Sequence, residues 1–246
     1  MLLGCIMLVS CTIIRYPKKF IFFALMAMAI HRLPLSFKKS IYFFKLMGSG
    51  RNGSFDIHPD WQQWAILAAH KHPFTPALEE PDAIITKLYG RLINRWFRLF
   101  QCQTSTLFLE PIEGHGKWDN KDPFGPLPRQ SEWEGPVMVL TRATIRLSKL
   151  KAFWQNVDGV ATNMKGVPGF NGSVGIGELP FIKQATLSSW SSKAQMIAFA
   201  YKMREHQEVI KKTRDDNWYS EELFVRFKHL KTVGKINGKD PLQGMF

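Results

Sequence analysis

The residues of this chain that could do chemistry are seven histidines, three cysteines and a scatter of carboxylates, and their spacing rules out most reactions. No G-x-S-x-G elbow is present to raise a nucleophilic serine. The pairs Asp215/Asp216 and Glu221/Glu222 read as solvated turn charges or charges near a helix end rather than a matched acid and base. His70 and His72, with His58, lie in a Pro-flanked stretch that lacks both H-E-x-x-H spacing and a supporting cysteine, which speaks against a metal site. Cys102 ends an expected helix, and Cys5 and Cys11 sit in a leader-like stretch, so no cysteine is placed to give a thiolate ligand. His206 is different. It shares one helical face with Met196, Phe199, Met203 and Ile210, while Lys193, Lys202, Glu205, Lys211 and Lys212 lie largely elsewhere. An imidazole aimed inward beside Met and Phe is either a hydrogen-bonded core histidine or a ligand to a flat apolar cofactor such as haem. His115 and His229 are the fallbacks, and no acceptor for the second ring nitrogen is identifiable.

The elements that must position these residues follow from periodicity. Ser192 and Gln195 give the S-x-x-Q spacing of a capping box, so the His206 helix opens at Ser192. The expected strands are Ile6–Ile14, Ser40–Met47, Thr104–Glu110, Pro136–Arg146, Ser173–Ile176, Phe181–Trp190 and Leu223–Val233. The expected helices are Lys18–Arg32, Asp60–His70, Pro81–Gln103 and Ser148–Val157. His31, Arg32 and Pro34 are read as ending the first helix, which is taken as buried on most sides and too short for the roughly 20 residues of a membrane span. Gly48, Gly50 and Gly53 match G-x-G-x-x-G, but Phe55, Asp56 and Pro59 intervene before any helix, so the match is weak. Residues 111–135 form a long turn-rich loop. The second half runs strand–helix–strand–strand–helix–strand, the ferredoxin-like order, and the first half is a looser version of it. The expected fold class is therefore α+β, with two ferredoxin-like halves forming a dimeric-α+β-barrel-type fold within one chain. The divisions are an extension at 1–6, a first half at 7–135 and a second half at 136–246. This rests on element order alone, since no sequence repeat supports it.

The chain of 246 residues carries a net charge of +13, and residues 1–51 contain no Asp or Glu. Such a patch suits anionic lipid, nucleic acid or an acidic protein, although nucleic-acid signatures are missing. Three cysteines without metal-ligand spacing fit a reducing, cytoplasmic setting. Met7 is an alternative start.

Several stretches carry a resemblance. They are TLFLEPIEGHGKWDNKDPFG (106–125), VLTRATIR (139–146), Phe153-Trp154, GIGELP (175–180), Gln184-x-Thr-x-Ser-x-Trp190, His206, NWYSEELFVRF (217–227) and DPL (240–242), with GSG at 48–50 and Trp64-Ala65. From about residue 7 to the C-terminus, in one order, they resemble the spheroidene monooxygenase family. Tyr219 where Phe is expected, RNGS after the GSG, and the residues before Met7 depart from it. The resemblance implies a fold like the dimeric α+β barrel haem proteins. It also implies oxidation of an acyclic carotenoid near its chain end, from methylene to hydroxyl to ketone, with dioxygen and electrons from a reduced ferredoxin. By the same likeness haem b is the cofactor and His206 its iron ligand. Arg142 becomes a candidate for a propionate or bound oxygen, and Ser188 a second catalytic candidate. Trp154, Thr186, Ser188, Trp190 and Phe199 become candidate pocket walls, each with ordinary core packing as the competing reading. The acid-free N-terminal region and the Lys87–Arg98 stripe would face either the inner membrane surface or an acidic ferredoxin. A homodimer is left open, and the competing function is a non-enzymatic haem or apolar small-molecule carrier on the same barrel.

Overall fold

Alternation of side chains along the strands builds this molecule. The structure, a computed structural model, describes residues 7–51, 58–71, 80–155, 166–202, 216–240 and 242, with the side chains of 201 and 202 excepted. The first half runs β1 (Leu8–Arg15), α1 (Ile21–Ile30), α2 (Arg32–Phe37), β2 (Ile41–Gly50), β3 (Pro59–His70), α3 (Pro81–Tyr89), α4 (Arg91–Leu99) and β4 (Gln103–Gly116). The second runs β5 (Val137–Ile145), α5 (150–155), β6 (Phe170–Leu179), β7 (Lys183–Trp190), α6 (Lys193–Lys202) and β8 (Tyr219–Gly234). The eight described strands close into a barrel in the order β1-β3-β2-β6-β7-β5-β8-β4. Each half thus has the spatial order fourth-first-third-second, and every pairing is antiparallel, so both halves are ferredoxin-like sheets.

Two seams join the halves. β4 and β8 pair from Ser105↔Gly234 to His115↔Phe224 and Gly116↔Leu223, whereas β2 and β6 share only Gly48↔Gly177 and Ser49↔Ile176. Inward residues such as Cys11, Ile13, Met47, Leu67, Leu109, Leu140, Leu187 and Val225 fill the barrel as one apolar core. The long loop after β4 adds Trp118 and Phe124 to that core, so it helps close the barrel. The interior is packed, and binding space must be sought on the outer faces.

Five expectations are corrected. Asp60–His70 belongs to the twelve-residue strand β3 rather than a helix. Residues 63–70 are buried on both faces, inward against the barrel core and outward against the helices, and a strand buried on both sides loses its alternation and mimics a helical run. The stretch 81–103 is two helices broken at Gly90, whose φ of 99° only glycine adopts at little cost. Strand β2 runs on past the expected end at Met47 through Gly48 to Gly50. The first helical region continues past His31 and Pro34 to Phe37, because Pro34 falls in the first turn of α2, where its missing N–H removes no helical bond. That region is also far less buried than expected, with Phe22, Leu25, Met26, Leu33 and Phe37 exposed.

Candidate functional site

In β5 the alternation turns Met138, Leu140 and Arg142 inward and Val137, Val139, Thr141 and Ala143 outward. Cross-strand register then lays out the outer face of the second half as rows. One row reads His115, Phe224, Thr141, Thr186 and Gly175, and the next Glu113, Arg226, Val139, Ser188 and Ser173. A third holds Glu222, Ala143, Gln184 and Gly177, and a fourth Val137, Trp190 and Phe170. The middle of this face is a platform of small side chains, bounded at one end by aromatic rings.

The matching face of the first half is filled. Ile14, Leu46, Trp64, Ile66 and Phe108 pack there against α1 to α4. Its small residues, Ser10 and Thr12, receive the Tyr89 hydroxyl of α3 at 3.1 and 2.8 Å, and Ser10 shares a 2.8 Å bond with His70. On the second half no described side chain fills the corresponding place. Thr141 is exposed, and Thr186 Oγ1 is buried without any hydrogen-bond partner. An orphaned buried hydroxyl costs stability, so it marks a place where a polar atom of a ligand would be welcome.

The expected site residues divide among several surroundings. Thr186, Ser188, Trp190 and Phe199 do come together on this face. Trp190 and Phe199 lie 5.2 Å apart, Phe170 lies 5.2 Å from Trp190, and Met196 completes the cluster. Ser188 Oγ is already engaged, accepting from Trp190 Nε1 at 3.0 Å and reaching the Val139 carbonyl at 3.5 Å. Trp154, on α5, belongs to the separate cluster of Phe153 and Trp218, and its Nε1 donates to Phe181 O. His115 stacks on Phe224 at 5.6 Å, and His229 shares a 2.8 Å bond with Thr232. His206, together with Met203, Glu205, Ile210, Lys211 and Lys212, lies outside the described residues, as does His72.

Arg142 points the other way, into the barrel. Its guanidinium is 1% exposed and bonds Glu221, with Asp119 and Glu178 each 3.6 Å away. Lys45 and Lys183 complete a balanced set of three cations and three carboxylates. Lys45 bonds Asp119 and lies 2.6 Å from Glu178, Lys183 lies 2.7 Å from Asp119, and Trp118 Nε1 donates to Glu178 at 2.7 Å. Burial alone would raise the Asp119 pKa, but the Lys183 and Lys45 bonds outweigh it and hold the carboxyl at about 2. Glu221 is likewise held low, its burial outweighed by the Asn120 and Asp119 backbone N–H groups and by Arg142. This cluster pins the long loop to the barrel.

A second set of charges borders the platform, and sequence reasoning missed it. Glu113, 1% exposed, accepts from Arg226, from Lys193 at 3.0 Å and from the Ser131 N–H and hydroxyl at 2.7 Å. Lys193 opens α6, where a cation opposes the helix dipole, and Glu113 offsets it. The Ser192 hydroxyl accepts the Gln195 N–H at 3.2 Å, so the serine half of the expected capping box forms, while Gln195 Oε1 accepts from that same hydroxyl. The signal in the sequence was a lone acid between Ile112 and Gly114, which nothing at that stage tied to residue 193.

Comparison with known proteins then decides the family. No protein-family model matches. The chain is 36% identical over 218 residues to spheroidene monooxygenase of Rhodobacter capsulatus, covering 87% of this chain and 86% of that one. It is 33% identical over 216 residues to spheroidene monooxygenase of Cereibacter sphaeroides, covering 87% and 64% of the two chains. The chain belongs to the spheroidene monooxygenase family. It is accordingly an oxygen-incorporating oxidoreductase. Among solved structures, two aldoxime dehydratases, one crystallised with butyraldoxime, superpose with a TM-score of 0.60 at 11% and 8% identity. They cover 98% of this chain and 87% and 85% of theirs. At that identity the likeness concerns the fold, and it agrees with the spheroidene monooxygenase barrel described here.

Proposed function

We propose that this protein is a haem-dependent monooxygenase that hydroxylates and then ketolates an acyclic carotenoid near its chain end, using dioxygen and electrons from a reduced ferredoxin. The observation that carries the reading is the asymmetry between the halves. The outer face of the second half is a floor of small residues, Thr141, Ala143, Ser173 and Gly175, around a Thr186 hydroxyl without a hydrogen-bond partner, where the first half packs Leu46, Trp64 and Phe108 against its helices. Such a floor fits a flat macrocycle. Iron held in a macrocycle needs only a single protein ligand. His206, four positions beyond the last residue of α6 in sequence, is our choice for that ligand.

When bound, haem would supply the activation of dioxygen. The chain does the rest. The small floor lets a planar group approach the sheet, and Thr186 Oγ1 offers a hydroxyl to a polar atom above it. Phe170, Trp190 and Phe199 form an apolar end wall that keeps water out. Each oxidation consumes one dioxygen, two electrons and two protons and releases one water. The first turns a methylene into an alcohol, and the second gives a geminal diol that loses water to the ketone. The electrons come from the ferredoxin. Supplying isotopically labelled dioxygen, reduced ferredoxin and an acyclic carotenoid tests this by mass spectrometry. One labelled oxygen in the alcohol product supports the reading. Haem uptake without any oxygenated product would make the protein a carrier instead.

A further inference from the structure

The helical region Lys18–Phe37 is 20 residues long, and its most apolar window has a mean hydropathy of 1.7 yet is only 22% buried. Beyond Lys18 and Lys19 its exposed residues are Phe22, Leu25, Met26, Ala29, Arg32, Leu33, Ser36 and Phe37, which recur every three to four positions and so form one continuous stripe. The large apolar members are 39–79% exposed. The opposite side buries Ala24, Ala27 and Leu35 against the barrel. Helices of soluble proteins turn polar residues outward, and this one presents Phe, Leu and Met.

The stripe is framed by positive charge. Lys18 and Lys19 precede it, Arg32 interrupts it and Lys39 follows it, all exposed. Helix α4 lies alongside, with the ring of Phe100 just past its end stacked on Phe23 at 4.3 Å, and it exposes Arg91, Leu92, Arg95 and Leu99. No acid lies in residues 1–51 beside Lys18, Lys19, Arg32 and Lys39. We infer that this face is a lipid-docking surface, seating α1 and α2 in the interface of an anionic bilayer with the Phe22–Phe37 stripe among the acyl chains and the flanking Lys and Arg at the headgroups.

Charge selects this occupant over the others. A second copy meeting this face about a two-fold axis would set the same cations against each other. A nucleic acid would use the cations but leave the apolar ridge in water. Anionic lipid satisfies both at once. The helix lies on the membrane rather than crossing it. β1 ends at Arg15 and β2 begins at Ile41, both inside the barrel, so a crossing would strip Ala24, Ala27 and Leu35 from the core. The inference does not depend on the haem assignment.

Vesicle flotation of the full chain tests it. Wild type should float with phosphatidylcholine vesicles containing phosphatidylglycerol and more weakly with phosphatidylcholine alone. The triple variant Phe22→Glu/Met26→Glu/Phe37→Glu should lose about tenfold or more of that binding. Lys18→Glu/Lys19→Glu/Arg32→Glu should abolish the preference for the anionic vesicles. Leu147→Glu, an exposed leucine elsewhere, should float like wild type. Circular dichroism and Tm check that each variant is folded. If the triple variant fails to fold, the charge-reversal variant decides the matter. Haem absorbance should be unchanged in the folded variants, which separates this question from the function proposed above. Wild type remaining in the aqueous fraction would overturn the inference. So would undiminished flotation of the folded variants, or a lipid-free dimer that the triple variant converts to monomer.

Discussion

Thr186 sits in the centre of the platform with a hydroxyl that no described group satisfies. Thr186→Val keeps the shape and removes that burden, so the ligand-free protein should gain about 1 kcal/mol of stability while retaining its ligand less well. Tm and a ligand titration on the same variant would read the two effects. His31 and His70 make a second residue-scale point. Burial pushes both pKa values down from 6.5 to about 4, with the Lys38 charge adding to the effect at His70. The unfolded chain therefore takes up protons at a higher pH than the folded one. Stability should be full above about pH 6.5 and fall as pH drops towards 4, by up to about 3 kcal/mol per histidine. His31 lies edge-on to Trp96 and Phe97, and its Nε2 is buried without a partner. His31→Phe should therefore remove about half of this acid sensitivity in a Tm-against-pH series.

Among the elements, α6 and its anchor test the site most sharply. Glu113 ties together β8 through Arg226, α6 through Lys193 and the long loop through Ser131. Glu113→Ala would leave two partly or fully buried cations without their carboxylate, and should cost about 3–5 kcal/mol by chemical denaturation. Gly90→Ala forces a side chain into positive φ at the α3–α4 break, and about 1 kcal/mol should be lost. The elements also show what a sequence can and cannot reveal. The run PVMVLTRATIR is rich in β-branched residues, so β5 was legible, and the two-residue period of a strand already assigns Arg142 and Thr141 to opposite faces. β3 was not legible, because WAILAA is apolar on both sides and its period carries no information. The Glu113 network was equally hidden, since its members are far apart in sequence and Glu113 meets Arg226 only through the β4–β8 register.

At the scale of the whole molecule, element order foretold two ferredoxin-like halves, and the barrel closes them through one long and one short seam. Order could not say that the halves use their outer faces differently. That difference arises where Tyr89 reaches Ser10 and Thr12 in one half and nothing described reaches Thr186 in the other. Nor could it say that α1 and α2 show their apolar side to solvent, because hydropathy counts residues without regard to which neighbour covers them. The most direct measurement is a haem titration followed by absorption spectroscopy of wild type, Thr141→Trp and His206→Ala. A Soret band that saturates in wild type and is lost in both variants, with both still folded, is the predicted result. No band in wild type, or an undiminished one when an indole occupies the floor at residue 141, would contradict the account.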